Sequence, residues 1–405
     1  MAQRTILLVG AGTESVPAYV RARELGLRVV GLDGDPEAPG FAHADAALVT
    51  STYDEEGAVD AARRWADAHG GLQGVLSVAV DVPRTVARLA AAFGLPGPSL
   101  ETAALCSDKL AMKERLAQAG VRVPWFAEAR SAQALEPELA RRGALVIKPV
   151  DSRGARGVSL VREARALGVA CERAWAVSPS GRALAEEYLP GPQVSSEGLF
   201  VGGRAHTPGF SDRNYARLEE FAPDFIEDGG TLPSALGSKV RAALLDVHEQ
   251  AGAALGVVDG PCKGDLVHSG GRAQVIEMAP RLSGGWFCTH QIPWSSGVDL
   301  LGLALLQALG ERPSADDLRP TRARGVATRY VFPPPGVLRA VHGLERARAL
   351  PGVEHLVLFV RPGQRLEPVS DHTRRAGCVI ACADSREEAI ARAEAARDAL
   401  EFELE

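Results

Sequence analysis

The chain has 405 residues, 46% of them hydrophobic and 24% charged, with a formal net charge of −6. That length holds roughly two to four lobes of an ordinary globular protein, and the acidic balance argues against a nucleic-acid partner. No apolar run reaches about 18 residues, the six cysteines form no CxxC pair and the histidines no HExxH, so neither a membrane span, a disulfide framework nor a zinc site is expected.

Met1-Ala2-Gln3-Arg4-Thr5 leads straight into an apolar run with no signal peptide visible, which sets a cytoplasmic location as the expectation. Ile6–Val9 reads as a buried parallel strand. A glycine turn, a helix from about Ser15 to Leu25 and a strand Arg28–Asp33 complete a βαβ unit. Ala46–Val49 and Gly74–Val78 read as further strands, with a helix Glu55–His69 between them, giving a doubly wound lobe. Gly94-Leu95-Pro96-Gly97-Pro98-Ser99 punctuates its end.

Ser107 is then expected to cap a helix carrying Leu110 and Leu116. Strands follow at 144–150, Val158–Val161 and Ala183–Tyr188. The stretch Phe210–Leu236 has no clean period and reads as a long excursion, which in compact enzymes is often functional. A helix Ser238–Leu255 leads into a hairpin. From about Arg324 the pattern changes again. Strands are expected at Ala327–Phe332, Val357–Val360 and Gly377–Cys382. Ser385 with Glu388 caps a helix that closes the chain.

Four segments carry chemistry. Gly10-x-Gly12-x-x-Ser15, with Asp33 some twenty residues on, imitates a dinucleotide fingerprint; the alternative is a plain strand-to-helix turn. Val146-Ile147-Lys148-Pro149 puts a lysine inside an apolar strand, which needs a partner for its ammonium. The Asp151–Gly157 tip beyond it, with Ser152, Arg153, Gly154 and Gly157, has free N–H groups and arginines suited to phosphates, or is simply a solvated hairpin with a snorkelling lysine. Glu186-Glu187-Tyr188-Leu189 and Gln193 end a strand where a carboxylate can read an adenine amine and an amide a ribose hydroxyl; an exposed strand end explains the pattern equally well.

The fourth segment is the hairpin. With Gly270-Gly271-Arg272 as its loop, Asp265 stands opposite Glu277, and cross-strand Cβ atoms lie about 5 Å apart. Two such carboxylates are costly without a cation, and oxygen ligands favour Mg²⁺ shared with phosphates. Arg281 adds a planar fork for phosphate or carboxylate. The alternative is a surface hairpin with scattered charges.

In this order the segments resemble the ATP-grasp superfamily, in particular its carboxylate–amine ligases. The resemblance implies an ATP-grasp fold, α/β with α+β in the later lobes. Its parts would be a doubly wound pre-ATP-grasp domain over 1–100, an ATP-grasp domain over 101–320 with its lid at about 120–190, and a C-terminal α+β domain over 321–405. It implies ATP and Mg²⁺ as cofactors. Lys109 and Lys148 would be the nucleotide lysines, residues 151–157 the phosphate-covering loop, and Glu186, Glu187, Leu189 and Gln193 the hinge. Asp265 and Glu277 would be the metal acids and Arg281 the arginine beside the reacting phosphate. Ser283-Gly284-Gly285-Trp286 looks most like the acid pocket of bacterial L-amino-acid ligases, whose C-terminal domain the Arg361-Pro362-Gly363 and Arg374–Gly377 stretches also resemble.

The implied partners are a small carboxylate and an amine, with a homodimer common among similar proteins. Three positions depart from the pattern: Ala279 where many relatives have Asn, Asp265 where Glu is usual, and Lys263 where His is frequent. The alternatives are an ATP-grasp carboxylase or purine-pathway-type ligase, a nicotinamide-dependent oxidoreductase using the first lobe, and a non-catalytic nucleotide-binding regulator.

Overall fold

Residues 3–405 are described by the structure, a computed structural model. Strand Thr5–Val9 is buried at every position and pairs in parallel on both sides. Its sheet runs Ala46–Val49, Arg28–Asp33, Thr5–Val9, Gly74–Ser77. Leu7 and Val9 face helices Glu55–His69 and Pro83–Phe93. Ile6 and Leu8 face helix Val16–Glu24 and a distant helix, Leu300–Ala308. The first lobe is thus the expected doubly wound unit, but its second face is covered by residues some 300 positions on. Local chemistry sets its boundaries. Asp54 accepts from the Gly57 N–H at 3.0 Å to start helix 55–69, and left-handed Gly70 ends it.

The expected cap at Ser107 shifts by one residue. Ser107 closes helix Leu100–Ser107 and donates its hydroxyl back to Ala103 O. Asp108 caps helix Lys109–Gln118, its carboxylate accepting from Leu110 and Ala111 N–H. An ionised acceptor serving two N–H groups outcompetes a hydroxyl. A second, antiparallel sheet runs Phe126–Glu128, Ala183–Glu187, Leu145–Pro149, Ser159–Val161. Helices Ala132–Arg142 and Leu167–Val177 cover it.

The third sheet has eight strands: Arg272–Ala279, Gly260–Ser269, Gln193–Val201, Arg204–Asn214, Gly229–Leu232, Gly325–Val331, Gly377–Ala383 and Val353–Leu358. The expected excursion 210–236 starts and returns through this sheet, residues 210–214 and 229–232 being strand, with helix Leu218–Phe221 and loop between them. Glycines and polar cleft-facing residues such as Ser211 and Arg213 hide its alternation. The C-terminal residues extend this same sheet, Gly229–Leu232 pairing with Val326–Arg329. The chain ends in strand Glu401–Leu404 of a small sheet, not in helix Arg386–Asp398. No described helix is long and apolar enough to cross a membrane. The first lobe is joined to the large sheet's tail by a parallel bridge, Val78 to Leu282. That bridge brings the C-terminal end of the parallel sheet, where α/β folds bind ligands, against residues 281–285.

Candidate active site

A cleft of about 770 Å³ opens where the lobes meet, within the roughly 300–1,000 Å³ usual for small-molecule sites. Of the residues expected at the site, Lys109, Lys148, Ser152, Arg153, Gly154, Glu186, Glu187, Leu189, Gln193, Asp265, Glu277, Arg281, Ser283, Gly284 and Gly285 line it. Gly157 and Trp286 do not.

Lys148 does have a partner. Its Nζ meets Glu186 Oε1 at 2.5 Å, and Lys113 Nζ meets Oε2 at 2.6 Å. All three side chains are buried. Burial by itself would raise the Glu186 pKa; the two ammoniums outweigh it and hold the carboxyl below its usual range. Burial pushes Lys113 down to about 8. Glu186 therefore anchors two lysines. Lys113 was not anticipated. The signal was its place four residues after Lys109, on the same helix face. Lys109 reaches the other way. Its Nζ donates to Ser152 O at 2.7 Å and lies 3.3 Å from Glu277 Oε1.

The loop 151–157 is closed over the cleft and held from two sides. The Arg153 guanidinium lies 4.0 Å from the Tyr53 ring centroid. The His372 N–H donates to Gly154 O at 2.9 Å. Gly157 works through its backbone instead: at φ +71°, a Cβ there would crowd Arg173 O at 3.1 Å.

In the hairpin Asp265 does stand opposite Glu277, by a different path from the one expected. The loop has two residues, Gly270 and Gly271, and a bulge between Asp265 and Leu266 shifts the register back. The cations that separate the two acids come from the protein. Asp265 Oδ1 meets Lys263 Nζ at 2.7 Å and Oδ2 meets Arg213 Nη1 at 2.5 Å. Ser195 Oγ also donates to Oδ1, at 3.1 Å. Burial would raise the Asp265 pKa, yet Arg213 and Lys263 hold it well below the carboxylate range. Lys263 stands directly across from Ala279, whose methyl leaves room on that face. The departures at 263 and 279 are thus neighbours.

Among the described residues no three His, Cys, Asp or Glu side chains are grouped to enclose a metal. A Mg²⁺ that takes most of its ligands from phosphate and water fits Glu277, whose side chain is 30% exposed. Asp265 would have to leave Lys263 to join it.

Arg281 Nε donates to Asp81 Oδ1 at 3.0 Å. Asp81 was missed, although it follows the last strand of the parallel sheet. Ser283 gives its N–H to Glu197 Oε1 at 2.8 Å and its hydroxyl to Oε2. Glu197 is fully enclosed, and burial raises its pKa. Gly285 N–H donates to Glu14 Oε2 at 2.7 Å. Trp286, at φ +53°, lies behind this wall in the core. Its ring is 4.5 Å from that of His355 and stacks on Phe359 at 6.0 Å. The strand turn 284–285 carries it past the cleft, so it does not border the acid pocket as expected. The acid of the dinucleotide alternative is engaged within the fold: Asp33 Oδ2 accepts from Ala11 N–H of the glycine turn at 2.7 Å, and Oδ1 from Asp35 N–H at 3.0 Å.

A doubly wound lobe, a lysine-bearing lid sheet and an acidic hairpin around one cleft define the ATP-grasp class. Residues 106–285 match the family model "ATP-grasp domain" and residues 329–405 the model "L-amino acid ligase C-terminal domain 2"; the chain carries an ATP-grasp domain over the first of these stretches. It is 30% identical to an uncharacterized protein, y4rH, of Sinorhizobium fredii over 325 residues, 78% of this chain and 65% of that one. It is 30% identical to carnosine synthase 1 of Homo sapiens over 138 residues, 34% of this chain and 16% of that one. The chain thus spans less than two thirds of either relative. The solved L-amino acid ligase of Bacillus licheniformis has the same fold, with a TM-score of 0.84 at 23% identity and full coverage of both chains.

Proposed function

We propose that the protein is an ATP-dependent ligase that joins a carboxylate, an amino acid or a related acid, to an amine through an acylphosphate, releasing ADP and phosphate. The observation that carries this reading is the convergence of Lys148, Glu277 and Arg281 on one cleft beneath a glycine-containing lid. Phosphoryl transfer needs positioning and charge neutralisation more than a protein nucleophile. Lys148 and Lys109 would bind the nucleotide phosphates. Arg281, fixed by Asp81, would hold the acid's oxygen beside the transferring group. Glu187, Leu189 and Gln193 would seat the nucleoside. Glu277 would hold Mg²⁺, which offsets phosphate charge when bound. The closed loop 151–157 would exclude water from the acylphosphate.

The division into residues 1–100, 101–320 and 321–405 belongs to this proposal, with the qualification that the last part shares the large sheet. The C-terminal domain match favours an amino-acid substrate over a ribosyl amine or bicarbonate. Phosphate release is to be measured over pairs of amino acids and amines with ATP and Mg²⁺, and the products weighed by mass spectrometry. Condensation products formed only with ATP are expected. ATP turnover indifferent to every acid, or no ATP binding, would overturn the reading.

A further inference from the structure

The glycine turn of the first lobe, whose Ala11 N–H is held by Asp33, places one side chain in the cleft. Glu14, two residues beyond Gly12, rests its carboxylate on the Gly284-Gly285 backbone. Oε2 accepts from Gly285 N–H at 2.7 Å. A Cβ on Gly284 would stand 2.3 Å from that oxygen and would push the carboxylate off its seat. Oε1 has no hydrogen-bond partner among the described residues, and Glu14 lines the cleft. Gly284 and Gly285 lie three and four residues past Arg281, so the free oxygen opens beside the place where the acid would be held.

An amine reaches the enzyme as an ammonium ion at neutral pH and attacks only after losing a proton. Of the other acids lining the cleft, Glu187 has no ion pair and would seat the nucleoside, Glu277 lies 3.3 Å from Lys109 Nζ and would hold Mg²⁺, and the rest are engaged. Asp81 holds Arg281, Asp265 holds Lys263 and Arg213, and Glu186 holds two lysines. Glu197, buried behind the cleft, accepts from Ser283 with both oxygens. Glu227 is tied to Arg213 at 2.8 Å. We propose that Glu14 is the base of the ligation, receiving a proton from the incoming ammonium and holding the amine over the acyl carbon. This rests on the ligase reading. One ammonium proton passes to Glu14 Oε1. The nitrogen lone pair then forms the C–N bond. The acyl C–O bond to phosphate breaks with its electrons going to the phosphate, which also carries away the second N–H proton. Burial raises the Glu14 pKa against the opposing pull of Gly285 N–H, Arg375 and Arg281, which makes its carboxylate a better proton acceptor.

The test is Glu14→Gln, whose amide oxygen can keep the Gly285 bond without the basicity. Two nucleophiles are compared on one preparation: the amine substrate of the wild type, and hydroxylamine, which is uncharged at neutral pH and traps acylphosphates as hydroxamates. Amide formation should fall by about 10²–10⁴-fold, the usual worth of a general base, while ATP-dependent hydroxamate formation stays within a few-fold. Glu14→Asp should recover part of the amide rate. Equal loss of both products, or loss of neither, would overturn the role of Glu14 and leave the ligase reading standing. Wild-type protein that forms no hydroxamate with any acid would overturn both.

Discussion

Replacing Glu186 by Gln removes the counter-charge between two buried ammoniums. In the native chain Lys148 and Lys113 lie 2.5 and 2.6 Å from its oxygens. Removing one partner of a buried ion pair costs about 3–5 kcal/mol. At about 2–4 °C per kcal/mol for domains of this size, the melting temperature should fall by roughly 6–20 °C. Two conditions should restore it. Phosphates supply the missing negative charge, so ATP with Mg²⁺ should raise the melting temperature of the variant more than that of the wild type. Alkaline pH should also help. The folded pKa of Lys113, about 8, lies below the ordinary lysine value of 10.5, so the folded state binds fewer protons and stability rises with pH between those values. Without Glu186 that window opens at lower pH. Scanning fluorimetry at two pH values, with and without nucleotide, reads both effects. A variant that melts with the wild type, or gains no more from nucleotide, would refute the buried-triad account.

Glu277→Gln should fold but lose nearly all turnover, and Mn²⁺ should bind its ADP complex about one to two decades more weakly, as for a lost charge-assisted contact of about 1.5–3 kcal/mol; undiminished ligation removes Glu277 from the metal. Lys263→Met leaves Asp265 Oδ1 with only the neutral Ser195 hydroxyl and should tighten Mn²⁺ binding as read by electron paramagnetic resonance, whereas unchanged binding means that Lys263 does not compete with the ion. Trp286→Ala should cost about 3–5 kcal/mol of stability with an unaltered acid profile; bulkier acids accepted at unchanged stability would return the indole to the pocket. Burial pushes His248 down to about 4, so below the ordinary histidine pKa the unfolded chain takes up a proton that the folded chain refuses. Stability is then lost as pH falls from about 6.5 toward 4, by up to about 3 kcal/mol. His248→Gln should flatten that part of the pH–melting curve, and an equally steep curve would exclude the effect.

The residues that form the cleft could be read where chemistry and period coincide. Lys148 stands out because a lysine in an apolar strand demands a partner; the Asp265–Glu277 pairing could also be read, but it arises because a bulge between Asp265 and Leu266 offsets a loop one residue shorter than expected. The partners could not be read the same way. Glu14, Asp81, Lys113 and Arg213 meet their counterparts across 52 to 271 positions, for which a single sequence carries no period. Helix Leu300–Ala308 was missed for a related reason: its nearly unbroken apolar run does not show which sheet it covers. Trp286 shows the limit of local inference. Its neighbours in sequence line the cleft, yet one left-handed residue turns the ring into the core.

The closed loop 151–157 touches the first lobe through Tyr53 and the C-terminal segment through His372. On the proposed ligase reading, opening to discharge ADP would have to break a cation–π contact on one side and a backbone hydrogen bond on the other. The rate of that step then belongs to the two outer parts of the chain as much as to the loop. Substitutions at Tyr53, far in sequence from every phosphate contact, would set how quickly the enzyme is ready for its next cycle.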